Sequence, residues 1–242
     1  MAERVVVLGA TGGVGKALSR RLIARGAEPF LIARDADRLA ALAREIEAPF
    51  APADATDPDA LAAAIGRAGP RLAGLAYCIG SIPLRPLKRL TAADFAEAFR
   101  LNATGAALAV QAAQPALAAA DGGGSVVLFS SIAARAGFPS HALIAAAKAA
   151  VEGLVVALGA ELAPAIRVNA VAPSLMRTRM AAAMTESAQM AEAIARLHPL
   201  PRLGEPEDAA ALADFLLSPQ AGWISGQVVG VDGGRGTLRV KG

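Results

Sequence analysis

Gly9-Ala10-Thr11-Gly12-Gly13-Val14-Gly15-Lys16 joins the aliphatic run Arg4 to Gly9 to an amphipathic segment carrying Leu18, Leu22 and Ile23. Gly9, Gly13 and Gly15 keep a GxxxGxG spacing. Glycines so placed let the chain turn sharply, let its backbone approach a pyrophosphate, and let the following helix pack closely on a sheet. The helix N-terminus then faces the anion. Gly-rich strand-to-helix turns without a ligand also occur, so this segment alone leaves a purely structural turn open.

Outward from that turn, short aliphatic runs alternate with longer helical patterns, which predicts an α/β fold with a parallel sheet. Strands are expected at Arg4 to Gly9, Glu28 to Ala33, Pro49 to Ala53, Leu72 to Ile79, Ser125 to Ser130, Ile166 to Ala172 and Gln227 to Val231. Helices are expected at Val14 to Arg25, Asp35 to Ile46, Asp57 to Arg67, Thr91 to Ala119, Ser140 to Leu162, Thr178 to Leu197 and Glu205 to Leu217. Asp121-Gly122-Gly123-Gly124 reads as an ordinary turn between helix and strand. With no linker in view, residues 1–242 are expected to form a single domain around one seven-stranded sheet.

Composition narrows the function. With 55% hydrophobic residues among 242, the chain must build a sizeable core, and 4% aromatics make it one of small aliphatic side chains. One cysteine rules out an internal disulfide, and two histidines with it cannot supply a conventional structural zinc set, so no metal is expected. The 24 basic and 21 acidic residues are dispersed, without the basic block that a nucleic acid or a polybasic membrane anchor requires. Met1-Ala2-Glu3-Arg4-Val5 lacks a signal-peptide core, and polar residues interrupt the Ala-rich runs. A small-molecule substrate, no nucleic acid, no membrane and a cytoplasmic location are the expectations.

The second strand ends Ile32-Ala33-Arg34-Asp35. An acidic residue at this point would accept hydrogen bonds from the ribose hydroxyls of NAD; Ala33 cannot, whereas Arg34 can pair with a 2′-phosphate. NADP(H) is therefore expected over NAD(H). The plainer alternative is a solvated loop arginine paired with Asp35 or Asp37.

The closing segments Pro199-Leu200-Pro201-Arg202-Leu203-Gly204-Glu205-Pro206-Glu207-Asp208, Phe215-Leu216-Leu217-Ser218 and Ile224-Ser225-Gly226-Gln227-Val228-Val229-Gly230-Val231-Asp232-Gly233-Gly234 complete a pattern that runs nearly the whole length. The chain resembles the short-chain dehydrogenase/reductase family, whose members are Rossmann-type, doubly wound oxidoreductases with helices on both faces of the sheet. The resemblance implies a cofactor-binding set of Gly9, Thr11, Gly13, Val14, Gly15, Arg34, Asp54, Lys148, Pro173 and Thr178. Asp54 falls where the family holds the adenine, and Asn102 where an Asn organises a proton-relay water. Asn169 and Pro173 resemble the Asn-x-Val-x-Pro-Gly segment beside the nicotinamide, with Ser174 replacing its Gly. Read alone, Asp54 could equally be a turn residue and Asn102 a helix kink.

In the family a Tyr exchanges the proton at the substrate oxygen, a Ser polarises that oxygen, and a Lys one helical turn beyond the Tyr lowers its pKa and binds the ribose. Ser131 and Lys148 match; Ile144 stands at the Tyr position and has no proton to give. Tyr77, the only tyrosine, falls in a strand on the adenosine side. His141, three residues before Ile144 and on nearly the same helix face, is the candidate acid, with a capping or solvent-exposed role as its alternative. The expected catalytic group is thus Ser131, Lys148, Asn102 and His141. His198 is expected in a structural loop, and Lys148 could instead form an exposed pair with Glu152.

Two functions follow: an NADP(H)-dependent carbonyl reductase or alcohol dehydrogenase whose proton comes from His141 or a Lys148-linked water, or a silent NADP(H)-binding sensor or partner subunit. The apolar surfaces of Thr91 to Ala119 and Ser140 to Leu162 and the resemblance imply a homotetramer or homodimer. Thr178 to His198, with Met180, Met184 and Met190, reads as an adaptable lid, near which Arg177 and Arg179 either attract an acid or are solvated. Substituting Arg34→Ala should lower the preference for NADPH over NADH in paired dissociation-constant measurements; an unchanged ratio would remove Arg34 from the cofactor site.

Overall fold

The computed structural model describes residues 3–185 and 187–239. Seven parallel strands lie in the order β3-β2-β1-β4-β5-β6-β7: β1 (Arg4–Leu8), β2 (Glu28–Ala33), β3 (Phe50–Pro52), β4 (Gly74–Tyr77), β5 (Gly124–Phe129), β6 (Ile166–Pro173) and β7 (Val228–Val231). The expected doubly wound α/β fold is present. Strand order reverses between β1 and β4, and in open α/β sheets a ligand crevice forms outside the carboxyl ends at such a point.

β1 shows why both faces are covered. Val5 and Val7 enter one core cluster, Val6 and Leu8 the other, and all four are buried, as a two-sided parallel strand requires. On one face pack α1 (Gly13–Ala24), α2 (Ala36–Glu45) and the final helix, α9 (Pro206–Leu217). Arg25, at the end of α1, donates to Asp214 on α9 at 2.6 Å, an ion pair that ties these helices. On the other face lie α3 (Pro58–Gly66), α5 (Gly105–Ala118) and α6 (Ala142–Leu162). The spacing of Leu143, Ala147, Val151, Val155 and Leu162 keeps one stripe of α6 buried. By length and hydropathy alone α6 would pass for a membrane span, contrary to the reading that polar residues interrupt every such run. Here it is a helix that covers the sheet.

The long helix expected at Thr91 to Ala119 is divided. α4 (Ala92–Phe99) opens with a capping box between Thr91 and Asp94, passes into a π turn at Arg100–Thr104, and continues as α5. The widened turn frees two carbonyls, and both find donors: Asn102 Nδ2 reaches Ala98 O at 2.9 Å, and the Tyr77 hydroxyl reaches Leu101 O at 2.7 Å. Gly105 lets Tyr77 fit, since a Cβ there would overlap the phenolic oxygen. The lid is also not one helix. A 3₁₀ turn (Arg179–Ala181) leads to α7 (Ala182–Thr185), and α8 (Ala188–Ala195) starts afresh at Ser187, whose Oγ accepts from Met190 N. α6 begins two residues later than expected, after Ser140 adopts φ +65°. β1 stops at Leu8 because Gly9 turns the chain at φ +77°.

A Cβ at residue 15 would overlap the Gly9 carbonyl oxygen and sit 2.9 Å from Ala10 Cα, backbone that has no rotamer with which to yield. Gly15→Ala should therefore cost about 1–3 kcal/mol, typical of overpacking, read as a lowered midpoint in denaturant unfolding.

Candidate active site

At the carboxyl ends of β1, β4, β5 and β6 lies a cleft of about 630 Å³. Its floor at one end is the glycine turn, with Thr11, Gly12, Gly13 and Val14 lining it. α1 opens there without a side-chain cap and without a carboxylate in its first turn, so its free N–H groups remain for an anion. Thr178 closes this end: a Cβ added at Gly13 would come within 3.0 Å of Thr178 Cγ2. An uncapped helix end at the mouth of a cleft fits the pyrophosphate of a dinucleotide. Gly9 and Gly15 serve it from behind by packing backbone on backbone.

α6 supplies the opposite wall. Its side chains His141, Ile144 and Lys148 line the cleft together with Ser131 and Pro173. Lys148 is buried, and its ammonium donates to Phe129 O at 2.8 Å, where β5 ends. It makes no pair with Glu152, whose carboxylate takes Arg135 at 2.6 Å and the Ser130 hydroxyl at 2.9 Å. Burial draws the Lys148 pKa down to about 8. Gly80 makes room for this group: a Cβ there would stand 3.0 Å from Asn102 Oδ1 and 3.1 Å from Lys148 Nζ. Asn102 and Lys148 thus approach the same glycine, and Asn102 Nδ2 also donates to Ser81 Oγ at 3.2 Å.

Ser131 caps the turn after β5, its Oγ accepting from Ala133 N at 3.2 Å. His141 lies at the start of α6 with Nδ1 2.7 Å from Pro139 O; a carbonyl only accepts, so Nδ1 carries a proton and Nε2 is the nitrogen left for other partners. Ile144 is buried in the wall one turn before Lys148. Tyr77 lies in the core, and burial raises its pKa well above the ordinary phenol value. It is in no position to exchange protons with the cleft. His198 is buried in the loop after α8, where Nδ1 is 2.9 Å from Ile194 O and Nε2 2.8 Å from Ser174 Oγ, a structural tie between lid and strand end. Cys78 lines the cleft with its pKa pushed up to about 12 by burial.

Besides Gly9 and Gly15 behind the turn and Asn102 beside Gly80, three further sequence candidates stand outside the cleft lining. Asn169 is a brace, donating to Ile224 O at 2.9 Å and accepting from Gln227 N at 3.0 Å. Asp54 forms a turn with Thr56, whose backbone and hydroxyl bonds hold its carboxyl below the usual range. Arg34 is exposed, 4.0 Å from Asp54 and not paired to Asp35 or Asp37. The arginine of this segment that does line the cleft is Arg38, whose Nη2 donates to Thr11 O at 2.9 Å. Its signal was available: it follows Arg34 by one helical turn, behind the Asp35 cap.

Fold and site define a nucleotide-binding, doubly wound oxidoreductase. A family profile described as Enoyl-(Acyl carrier protein) reductase matches residues 9–235. The chain is 35% identical over 243 residues to cis-4-hydroxycyclohexanecarboxylate dehydrogenase of Sinomonas cyclohexanicum, covering 96% of each. It is 35% identical over 238 residues to galactitol 2-dehydrogenase (L-tagatose-forming) of Cereibacter sphaeroides, covering 94% and 92%. Among solved structures, a short-chain dehydrogenase/reductase of Mycobacterium ulcerans superposes with a TM-score of 0.92 at 34% identity, over 98% of this chain and 90% of that one. An actinorhodin polyketide ketoreductase variant solved with NADPH gives 0.91 at 27% identity, over 98% of both. This chain belongs to the short-chain dehydrogenase/reductase family of oxidoreductases.

Lys148 gives the protein a pH signature. Its folded pKa of about 8 lies below the unfolded 10.5, so the burial penalty is fully present below pH 8 and is relieved as pH rises, because the unfolded chain then binds more protons. Cys78, raised from 9.0 to about 12, opposes this above pH 9. Stability of the cofactor-free protein should therefore rise from pH 8 to 9, and Lys148→Met should flatten that rise in denaturant titrations.

Proposed function

We propose that this chain, acting as one domain over residues 1–242, is an NADP(H)-dependent carbonyl reductase or alcohol dehydrogenase for a small organic substrate, and that it manages the oxygen's proton without a tyrosine. The observation that carries this reading is the buried Lys148 ammonium, anchored on Phe129 O one helical turn beyond Ile144, in one cleft with Ser131 and the glycine turn. One carbonyl satisfies one of its three donors; the others suit ribose hydroxyls.

When bound, the nicotinamide gives or takes the hydride. Ser131 polarises the substrate oxygen, and His141 exchanges its proton through Nε2, since Nδ1 is committed to Pro139 O. A water held through Lys148 and Asn102 is the second route. Thr11, Gly13, Val14, Pro173 and Thr178 shape the cofactor's bed, with Arg34 and Arg38 toward a 2′-phosphate and Asp54 toward the adenine. Relatives act on a hydroxycyclohexanecarboxylate and on galactitol, which supports a small hydroxylated substrate. A cytoplasmic homotetramer or homodimer built on α4, α5 and α6 completes the proposal, supported by the exposed Val156 on α6.

A panel of ketones, aldehydes and alcohols assayed with NADPH or NADP should give turnover that Ser131→Ala abolishes. Cofactor binding with no turnover anywhere in the panel would favour a silent NADP(H)-binding protein. His141→Ala should lower turnover by about 10²-fold or more while leaving the NADPH dissociation constant within about twofold. Unchanged turnover would eliminate His141 as the acid. Ile144→Tyr should raise reductase activity, because it returns a phenol beside Lys148.

A further inference from the structure

Charge in the cleft is one-sided. Its ionisable lining comprises Arg38, His141, Lys148, Arg177, Arg179, Arg235 and the Cys78 thiol, with no carboxylate among the described residues. Most of the cations with identified partners belong to the cofactor end. Arg38 is fixed on the Thr11 carbonyl, and Arg177 lies 3.4 Å from Glu205. Lys148 is fixed on Phe129 O.

Arg235 is placed differently. Its guanidinium carbon lies 4.9 Å from the centroid of the Phe138 ring, and the Phe138 ring lies 5.3 Å from the His141 ring at a tilt of 53°. A cation–π contact of this kind spends none of the guanidinium's N–H donors on an acceptor. Among the described residues neither a carboxylate nor a carbonyl accepts from them. The nearby Asp232 is already used, its oxygens accepting from Gly234 N at 2.9 Å and Gly236 N at 2.8 Å. Those bonds fix the turn that carries Arg235. The turn rests against the Ser131 side of the cleft, for a Cβ at Gly236 would come within 3.3 Å of Ile132 Cγ2. The lining that Arg235 and Ser131 share includes the apolar side chains Ile132, Phe138 and Ile144.

Resting on the oxidoreductase reading above, we propose that Arg235 determines substrate class: it grips the carboxylate of a small hydroxy or oxo carboxylic acid whose reacting carbon lies between Ser131 and His141. Phe138 positions the guanidinium, and the apolar lining takes the hydrocarbon between the two polar ends. Partial burial lowers the Arg235 pKa from its ordinary value, a desolvation penalty that an adjacent anion relieves. The absence of carboxylates from the described lining means that an acid entering the cleft meets no like charge there.

Calorimetry with cyclohexanecarboxylate and its uncharged counterpart cyclohexylmethanol, with and without saturating NADP, tests this directly. The acid should bind about tenfold more tightly or better, as a charge-assisted contact provides. Arg235→Gln should remove that advantage while leaving the alcohol's affinity within about twofold, and Arg235→Lys should restore part of it. Equal affinities in the wild type, no binding of the acid, or an advantage that survives Arg235→Gln overturns the proposal, as does one that vanishes in Arg179→Gln instead. Turnover of neutral ketones without any preference for acids would sink the Arg235 assignment alone. An acid held through Arg235 with no oxo compound turned over would sink the oxidoreductase reading and leave the binding site standing.

Discussion

Backbone packed directly on backbone, at Gly9 and Gly15, decides where every later part of this protein can stand. With no Cβ at residue 15, the first turn of α1 settles against the Gly9 carbonyl and the Ala10 backbone. Gly9 N then reaches across to Ile32 O at 2.8 Å, locking the end of β1 to β2. The helix end consequently points into the crevice at the strand reversal instead of over the sheet edge. A helix end can be left uncapped only if solvent or a ligand satisfies it, and here it is left so at the mouth of the cleft.

The second dependency runs through α6. Its buried stripe presses it on the sheet, and that docking carries Lys148 into a largely buried place where its charge is poorly solvated. Phe129 O is the compensation, and it is available because β5 ends there and β6 extends beyond it, to Pro173. Gly80 and the π turn complete the arrangement. One lacks the side chain that would collide with Lys148 and Asn102, and the other rotates Asn102 inward while Tyr77 satisfies the carbonyl the turn releases. Tyr77 is accordingly a support of the site's shape, not a participant in its chemistry.

Much of this was legible in the sequence because the signals were local. Aliphatic runs with helical segments between them gave the strand count and the parallel order, and the glycine spacing gave the turn. The motif register placed Ser131, Ile144 and Lys148 on one cleft. What escaped was whatever depended on distant partners. The break in Thr91 to Ala119 needs Tyr77, and nothing in Arg100 to Thr104 announces it. Asn169 shares a motif with Pro173, yet only the carboxyl end of β6 reaches the cleft, so Asn169, four residues earlier in the strand, braces β7 while Pro173 lines the cleft. Arg34 drew attention by sequence position, but the helical geometry of α2 brings Arg38 to Thr11. Arg235 lay beyond the last quoted motif and becomes visible only through its stacking on Phe138.

Ile144, one helical turn before Lys148, bears on the electrostatics of the site as well as on its proton inventory. In a cleft with a phenolate beside it, a buried ammonium has an anion to neutralise it. Here the neighbouring ionisable group is the Cys78 thiol, which burial keeps neutral to about pH 12, so among the described residues Lys148 holds its charge with one carbonyl and no counter-ion. Desolvation by burial is what draws its pKa down to about 8. Such a site gains from any ligand that brings hydroxyls or negative charge to it, and the other cations of the lining act in the same sense. With an isoleucine at this position the cleft is more strongly biased toward anionic ligands than one with an ionised side chain there would be, and binding and proton transfer must both be organised around that positive bias.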